Sequence, residues 1–301
     1  MINALSVDLE DYFQVSAFEK QIQRRDWPRL PSRIARNTDR VLELLHRRRA
    51  RATFFVLGWV AKHHPQVVRR VAAAGHEIAC HSFWHRLVYE LTPEEFLQDT
   101  REAKEAIEDA SGAEVCGYRA PSYSITRASQ WALDILLELG FRYDSSIFPV
   151  AHDRYGWQGA GRFLSPIRQS GNEVLWEFPP ATYPLGRGAV PAAGGGYLRI
   201  LPYHHAKWAL EQINQAEGHP GCVYFHPWEI DPEQPRLTES RSAWWRHSFG
   251  LSRMERKLER LLEDFEFAPL GEIVAARNRA VKGEGTLYSR QSHCEKARER
   301  G

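Results

Sequence analysis

The chain has 301 residues, of which 43% are hydrophobic and 26% charged, and its 40 Lys and Arg residues against 38 Asp and Glu residues leave a formal net charge of +2. This composition excludes an intrinsically disordered chain, and the length allows one large domain or two ordinary ones. The near-neutral charge gives no electrostatic reason to expect a nucleic acid or an anionic membrane as partner. Aromatic residues make up 12% of the chain, which suits either a cleft for flat rings such as sugars or simple core packing.

The first residues, MINALSVDLEDYF, lack the basic start and the apolar run of a secretory signal. No later segment approaches the roughly 18 uninterrupted apolar residues of a transmembrane segment. We therefore expect a protein that acts in the cytoplasm or at the inner membrane face.

Short apolar or β-branched runs alternate with helical patterns over the first half of the chain, which indicates an α/β architecture with a largely parallel sheet or barrel. Thr92, Pro93 and Glu95 form the capping box of one helix. In chain order, the predicted elements are strand 4–7, helix 39–49, strand 52–57, helix 65–74, strand 76–80, helix 92–110, strand 115–118, helix 126–139 and strand 141–143.

The alternation is lost between residues 149 and 202, where prolines, glycines and aromatic residues surround strand-like pieces at 174–178 and 197–201. Such a long irregular stretch is typical of a segment that covers a functional site. The pattern then resumes with a helix at 203–217, a strand at 222–225 and a helix at 252–265.

Polar residues that can do chemistry directly follow the predicted strands. The carboxyl ends of parallel strands in a barrel meet at one mouth, where catalytic groups collect. Each residue alone could equally cap a helix or satisfy a local hydrogen bond, but together they predict one site. The residues are Asp8, His81, Arg119, Asp144 and His226.

A metal site is indicated by two clusters. The segment His81–His85 places two imidazoles four residues apart, the spacing that puts both on one face of a helical turn and lets them bind one metal ion. Asp8, Glu10 and Asp11 crowd at the end of the first strand. Neighbouring carboxylates can divide the roles of metal ligand and base if a cation such as Arg119 neutralises them. The alternative readings are a pair of surface histidines and a solvated acidic turn.

Taken together, these motifs resemble those of the NodB-homology polysaccharide deacetylases, carbohydrate esterase family 4, over residues 5–229. The family consists of metal-dependent N- or O-deacetylases on a distorted (β/α) barrel. The opening SVDLEDYFQVSAFE and the ending WWRHSFGLSRMERKLERLLEDFEF further resemble the subgroup found with exosortase/PEP-CTERM exopolysaccharide loci, whose carboxyl-terminal extension is of unknown function. The matching motifs are TFFVLGW, AGHEIACHS, HSFWH, RAPSY from Arg119, YDSS from Tyr143 and VYFH ending at His226.

The resemblance implies a catalytic role for each matching polar residue. Asp8 would be the general base, supported by Arg119, and His226 would be the general acid. Asp144 would orient His226 and stabilise its charged form. A backbone N–H near Tyr123 would help to stabilise the oxyanion.

The same resemblance implies that His81 and His85 bind the metal. The family's usual first motif has two adjacent aspartates, base then ligand, whereas Leu9 stands in the second position here. The third ligand is therefore Glu10, which strand alternation favours, or Asp11, which a turning chain would present. Zinc is the expected ion, and cobalt, nickel or iron would also suit two histidines and one carboxylate.

The expected sugar-binding residues are Pro121, Tyr123 and Trp228, the last of which follows the proposed acid closely. The aromatic-rich segment 155–203 and the Trp244-Trp245 pair are further candidates for the substrate wall. Packing around the barrel explains these last two features equally well.

We therefore expect a distorted (β/α) barrel at residues 1–230, an extension packed on it at 231–280 and a disordered tail at 281–301. The leading hypothesis is a metal-dependent hydrolase that removes acetyl groups, N- or O-linked, from an acetylated carbohydrate during exopolysaccharide assembly. The alternatives are a metal-independent amidohydrolase of the same fold and a catalytically silent carbohydrate-binding protein. The sequence leaves the sugar and the oligomeric state open.

Overall fold

The computed structural model describes residues 1–152, 155–186, 188–237 and 247–281. The strands are β1 (Ile2–Leu9), β2 (Thr53–Val56), β3 (Glu77–Cys80), β4 (Gly117–Tyr118), β5 (Tyr143–Asp144), β6 (Ser165–Ser170), β7 (Glu173–Glu177), β8 (Thr182–Leu185), β9 (Gly188–Pro191), β10 (Cys222–Phe225) and β11 (Glu266–Ala268). The α-helices are α1 (Ile34–Arg47), α2 (Gly58–His63), α3 (Pro65–Ala73), α4 (Pro93–Ser111), α5 (Ala132–Glu138), α6 (Gly195–Ile200), α7 (Tyr203–Glu211), α8 (Leu251–Asp264) and α9 (270–281).

A mostly parallel sheet forms the centre of the fold. Its path runs β10-β1-β2-β3-β4-β5-β7-β6, with β6 and β7 antiparallel, and β11 pairs with the first residues of β1. This arrangement of a parallel sheet with connecting helices confirms the predicted α/β class. Among the described strands the path stays open between β10 and β6, so the barrel is distorted rather than fully hydrogen-bonded around its ring.

The central strand β1 determines where the site lies. Its residues from Asn3 to Leu9 are all buried, and Val7 lies beside Phe225 of β10 and Phe54 of β2. Burial on both sides explains the nearly continuous apolar run of this strand. Because β1, β3, β4 and β10 run parallel, their carboxyl ends meet at one edge, and the polar residues that follow them come together there.

The best-specified helix from the sequence, α4, forms as predicted. The Thr92 hydroxyl accepts from the Glu95 N–H at 3.2 Å, and the Glu95 carboxylate accepts from the Thr92 N–H at 2.9 Å. Gly112 ends the helix in the left-handed conformation, at φ 69°. Local chemistry alone therefore sets both ends of this helix.

Two predictions for the irregular region and its neighbours are wrong in detail. Residues 197–200 of the predicted strand 197–201 instead lie in helix α6, because Leu198 is buried in the core and tertiary packing overrides the local β preference. The predicted helix 126–139 is divided into a 3₁₀ turn at Arg127–Ser129 and the shorter α5.

Near its carboxyl end the chain returns to the sheet through α8 and β11. The buried face of α8 consists of Leu251, Met254, Leu258 and Leu261. The division of the chain at residue 230 stays a prediction, and the Trp244-Trp245 pair and the tail beyond residue 281 lie outside the described residues. Within the described residues, no helix combines the length and the apolar character needed to cross a membrane.

Candidate active site

A cleft of about 550 Å³ opens at the carboxyl edge of the sheet. Two predicted residues, Arg119 and Asp144, lie beneath this edge and are fully buried. The other predicted catalytic, metal-binding and sugar-binding residues that line the cleft are Asp8, Glu10, His81, His85, Tyr123, His226 and Trp228.

Three of these residues form a candidate metal centre. Ligand atoms of Glu10, His81 and His85 all lie within 4.8 Å of one another. Nδ1 of His81 donates to the Arg119 carbonyl at 2.8 Å, so that Nε2 is the nitrogen presented to an ion. Oε2 of Glu10 lies 2.9 Å from Nε2 of His85 but outside hydrogen-bond geometry, and it has no donor among the described residues. A buried carboxylate oxygen without a donor, beside two imidazoles, fits a divalent metal ion.

The ionisation of this group also suits a metal. Burial lowers the pKa of His81 to about 4, which keeps its imidazole neutral at pH 7. Burial alone would raise the pKa of Glu10, but the neighbouring imidazoles of His85, His226 and His81 together outweigh burial and the pKa falls to about 2. Both groups are therefore in the deprotonated form that binds metal ions.

Asp11, the other acid considered as third ligand, faces away from the histidines. Its Oδ2 accepts from the Ser32 hydroxyl at 2.7 Å and from the backbone N–H groups of Arg33 and Ile34 at 2.9 and 3.2 Å. These donors stand at the start of α1, whose free N–H groups need acceptors. Of the two candidate ligands, the structure brings Glu10 to the histidines.

The two histidines lie on a bend rather than on the predicted helical turn. Ser82 and His85 have left-handed backbone conformations, with φ of 62° and 54°, which are uncommon for residues other than glycine. The bend is held by Ser82 Oγ, which accepts from the His85 N–H at 3.0 Å, and by Asp99, which accepts from the Phe83 N–H at 2.8 Å. Asp99 was not predicted, because inside α4 it belongs to no motif.

Asp8, the proposed base, is held by Arg119. Nη1 of Arg119 donates to Asp8 Oδ1 at 2.7 Å and to the Ser6 hydroxyl at 2.8 Å, and Nη2 donates to the Ser145 hydroxyl at 2.8 Å. Burial alone would lower the pKa of this guanidinium, but the carboxylate of Asp8 raises it. Arg119 is therefore a permanent buried cation that fixes one oxygen of Asp8, while Oδ2 lies 3.7 Å from Nε2 of His226.

His226, the proposed acid, also faces the carboxylates of Asp8 and Glu10. Its Nε2 lies 3.5 Å from Glu10 Oε1, and its Nδ1 donates to Glu229 Oε2 at 3.1 Å. Burial would lower the pKa of His226, but the hydrogen bond to Glu229 and the charge of Glu10 outweigh it and raise the pKa to about 9. The imidazole is therefore protonated at neutral pH, as a general acid requires.

Glu229, not the predicted Asp144, is the carboxylate that contacts His226. Asp144 ends β5, five steps from β10 along the sheet path, and its carboxylate accepts from the Ser146 hydroxyl. The prediction that Asp144 orients the acid is corrected on that ground. The sequence held the signal for Glu229, since the spacing of His226 and Glu229 is that of a capping box.

The turn that follows Arg119 is strained. Ser122 and Tyr123 have φ of 51° and 54°, so that four of the five described non-glycine residues with positive φ lie in the two turns around the cleft. Such strain concentrates at functional sites. The Tyr123 N–H donates to the Ala120 carbonyl at 3.1 Å, and the oxyanion donor expected near Tyr123 stays a prediction. Pro121 is buried inside this turn and does not line the cleft.

Trp228 lines the cleft but is mostly buried. Its ring stacks on His226 and on His247, with ring centroids 5.2 and 4.6 Å apart, and its Nε1 donates to Glu10 Oε1 at 3.3 Å. It therefore orients the carboxylate as well as forming part of the wall. From the aromatic-rich segment 155–203, Tyr155 reaches the cleft, while other aromatic lining residues come from elsewhere: Phe18, Tyr89 and Tyr224.

Comparison with known proteins finds matches to two family models and to several deacetylases. Residues 26–143 match the polysaccharide deacetylase family model, and residues 145–275 match a domain of unknown function, DUF3473. A chitooligosaccharide deacetylase from Rhizobium leguminosarum bv. trifolii is 38% identical over 99 residues, 33% of this chain and 43% of that protein. The peptidoglycan-N-acetylmuramic acid deacetylase PdaC from Bacillus subtilis (strain 168) is 31% identical over 102 residues, 33% of this chain and 22% of that protein.

The chain thus matches less than half the length of either curated relative. The fold is shared over nearly the whole chain with a solved structure from Mycobacterium smegmatis, described as a presumed polysaccharide deacetylase, at a TM-score of 0.60 and 19% identity, with coverage of 93% of this chain and 92% of that one. The chain is thus similar to the polysaccharide deacetylases over residues 26–143, and the two curated relatives of that name each match about a third of it.

Proposed function

We propose that the protein is a metal-dependent deacetylase that removes acetyl groups from an N-acetylated polysaccharide or oligosaccharide. One observation carries the proposal: Asp8 held by Arg119, the group Glu10, His81 and His85 that could hold a metal ion, and His226 line or adjoin one cleft of about 550 Å³. The relatives named as deacetylases of chitooligosaccharide and peptidoglycan support an amide of an amino sugar as substrate over an ester.

Glu10, His81 and His85 would hold the metal ion. When bound, a divalent ion supplies Lewis-acid polarisation of the acetyl carbonyl and makes water more acidic. Asp8 then accepts the proton of the attacking water through Oδ2, because Oδ1 is occupied by Arg119. Arg119 keeps Asp8 in one orientation throughout.

His226 completes the reaction. Its protonated Nε2 faces the same space as Asp8 Oδ2 and Glu10 Oε1, at 3.7 and 3.5 Å. From there it donates a proton to the departing nitrogen, so that the amine leaves neutral rather than as an unstable anion. Glu229 holds Nδ1 and thereby keeps Nε2 directed into the cleft.

We further propose a role in exopolysaccharide assembly. Support comes from the resemblance of both ends of the chain to the exopolysaccharide-locus subgroup. The match of residues 145–275 to a separate domain of unknown function agrees with a specialised branch of the deacetylases. Aromatic walls and hydrogen bonds suit a neutral acetylated sugar.

The test is acetate release from N-acetylglucosamine oligomers by the purified protein, with its metal content measured by elemental analysis. We expect chelation to abolish release and added zinc, cobalt or nickel to restore it. His81→Gln should lose both metal and activity, whereas His63→Gln, on α2, should lose neither. Full activity in the metal-free protein would instead favour the metal-independent amidohydrolase, and tight sugar binding without acetate release would favour a binding protein.

A further inference from the structure

One buried arginine connects helix α6 to the proposed acid, His226. Arg199 lies on α6, and its Nε donates to Glu229 Oε1 at 3.1 Å. Oε2 of Glu229 accepts from Nδ1 of His226 and from the His226 backbone N–H, both at 3.1 Å. Arg199 and Glu229 are buried and His226 is partly exposed, and the three side chains form one continuous series along the wall of the cleft, which Arg199 also lines.

The chain at residues 247–250 is built around this arginine. Nη1 of Arg199 donates to the carbonyls of His247 and Phe249, each at 2.7 Å. Gly250 has φ of 80°, and a Cβ there would lie 2.5 Å from the Arg199 carbonyl oxygen. A larger residue at position 250 would therefore have to push away the helix that carries Arg199.

Helix α8 also holds α6, through the carbonyl groups at the carboxyl end of α6. Lys257 Nζ donates to the carbonyls of Leu198, Arg199 and Leu201, at 3.0, 2.9 and 2.7 Å. The last carbonyls of a helix have no partner within it, and a cation there satisfies them. Lys257 thus fixes the end of α6 on which Arg199 stands, although it does not line the cleft itself.

A stack of rings ties the same segment to the acid a second time. His247 stacks on Trp228 at 4.6 Å with an interplanar angle of 16°, and Trp228 stacks on His226 at 5.2 Å and 26°. Nε2 of His247 is bonded to the Gln234 side chain at 2.7 Å, which fixes the ring. Glu229 therefore holds Nδ1 of His226, and Trp228 packs against the face of the His226 ring.

We propose that residues 247–257, which we call the brace, position His226 for proton transfer by holding Arg199, which in turn holds Glu229. The inference rests on the proposed function and deepens it, since it gives the domain of unknown function a task in that reaction. The brace lies within the matched residues 145–275 of that domain. The positioning residues are Lys257, Arg199 and Glu229, and the reacting group is His226.

The experiment compares two lysines that both join α8 to its neighbours. Lys257→Met removes the contacts to α6, and Lys207→Met removes an ion pair of 3.0 Å with Asp264 that does not involve Arg199. In zinc-loaded protein with ¹⁵N-labelled histidine, the Nδ1–H resonance of His226 is assigned by its loss in His226→Gln. Acetate release gives kcat and KM, and circular dichroism reports folding.

We expect Lys257→Met to shift or broaden the His226 Nδ1–H resonance and to lower kcat roughly tenfold, part of the 10²–10⁴-fold that general acid–base catalysis supplies. KM should stay within about twofold, because Lys257 does not line the cleft. Lys207→Met should leave the resonance, kcat and KM unchanged. An unchanged resonance and kcat in folded Lys257→Met would overturn the proposal.

Equal effects of Lys257→Met and Lys207→Met would overturn it as well, since general loosening of α8 would then be the cause. If Lys257→Met does not fold, Glu229→Gln decides, because it keeps an acceptor for Nδ1–H but removes the charge that Arg199 contacts. A resonance and a kcat that match the unaltered protein in Glu229→Gln would refute the positioning role. If the unaltered protein releases no acetate, the proposed function fails, while the resonance still decides whether the brace holds His226.

Discussion

Two pairs of buried acids lie at the carboxyl ends of strands of the same sheet, and they differ in the partners that surround them. Asp8 and Glu10, at the end of β1, meet a guanidinium and three imidazoles at an open cleft. Asp144 and Glu177 are paired across β5 and β7, beneath the surface. In the first pair, the neighbouring imidazoles lower the pKa of Glu10 to about 2, whereas in the second pair burial raises the pKa of Asp144 to about 6 and raises that of Glu177 well above its usual value.

The difference shows what a position after a strand does and does not determine. The position brings a carboxylate to the edge of the sheet, but the neighbours decide whether the carboxylate is charged. Arg119 is already bonded to Asp8, so Asp144 and Glu177 lie close together without a strong cation of their own, and the pKa of both is raised. The first pair therefore suits proton transfer and metal binding, and we predict that the second is a structural contact.

The largest effect that separates the two pairs is expected on catalysis. Asp8→Asn removes the proposed base, and kcat should fall by about 10³-fold, within the range of general base catalysis. Asp144→Asn removes an acid of the second pair and should keep most of the activity. Acetate release by the two variants, with circular dichroism to check folding, makes the comparison. A large loss of kcat in folded Asp144→Asn would show that the second pair has a catalytic part after all.

Metal binding distinguishes the acids within the first cluster. Glu10→Gln should weaken metal affinity by about 100-fold. This figure is the upper end of the loss of affinity found when a residue that only hydrogen-bonds to a metal ligand is replaced. Asp11→Asn should keep the metal and lower stability by about 1 kcal/mol, because it weakens the contacts at the start of α1. Competition with a chromophoric chelator and thermal unfolding measure the two effects. Metal loss in Asp11→Asn with retention in Glu10→Gln would reverse the assignment.

The sequence predicted the sheet and most of the cleft because both depend on local patterns. Asp8, His81 and His226 follow apolar strands, and parallel strands bring such residues together whatever their loops do. The choice between Glu10 and Asp11 could not be made, because it depends on how the chain turns after β1 and on donors that belong to α1. Such contacts lie about 20 residues apart in the chain and leave no periodic signal.

The errors have the same origin. The family resemblance implied that Asp144 orients His226, but whether the two side chains meet depends on the order of strands in the sheet and on the loops that follow them. Helix α6 was expected to be a strand, since its residues favour one locally, and the contacts from Lys257 that stabilise its end come from 56 to 59 positions away. Asp99 was missed because a side chain that supports a bend from a neighbouring helix has no motif of its own.

The smallest effect concerns the pH dependence of stability, and it tests the second pair directly. Glu177 holds a proton in the folded state at pH values where the unfolded chain has released it, because its pKa is raised on folding. Its contribution to the free energy of unfolding is therefore complete below about pH 4 and declines as the pH rises through the folded pKa, by up to about 1.4 kcal/mol per pH unit. Asp144, with a pKa of about 6, acts in the same direction.

The side-chain amide in Glu177→Gln supplies a permanent N–H donor to Asp144. Its oxygen can still accept from the Ile147 N–H, as Oε1 of Glu177 does at 3.0 Å. Urea unfolding between pH 5 and 8 should show Glu177→Gln gaining stability over the unaltered protein as the pH rises. The matched control is Glu173→Gln, at the exposed start of the same strand, which should follow the unaltered protein at every pH. Parallel curves for Glu177→Gln and the unaltered protein would mean that Glu177 is ionised in the folded state, and the contrast between the two acid pairs would then have to come from geometry alone.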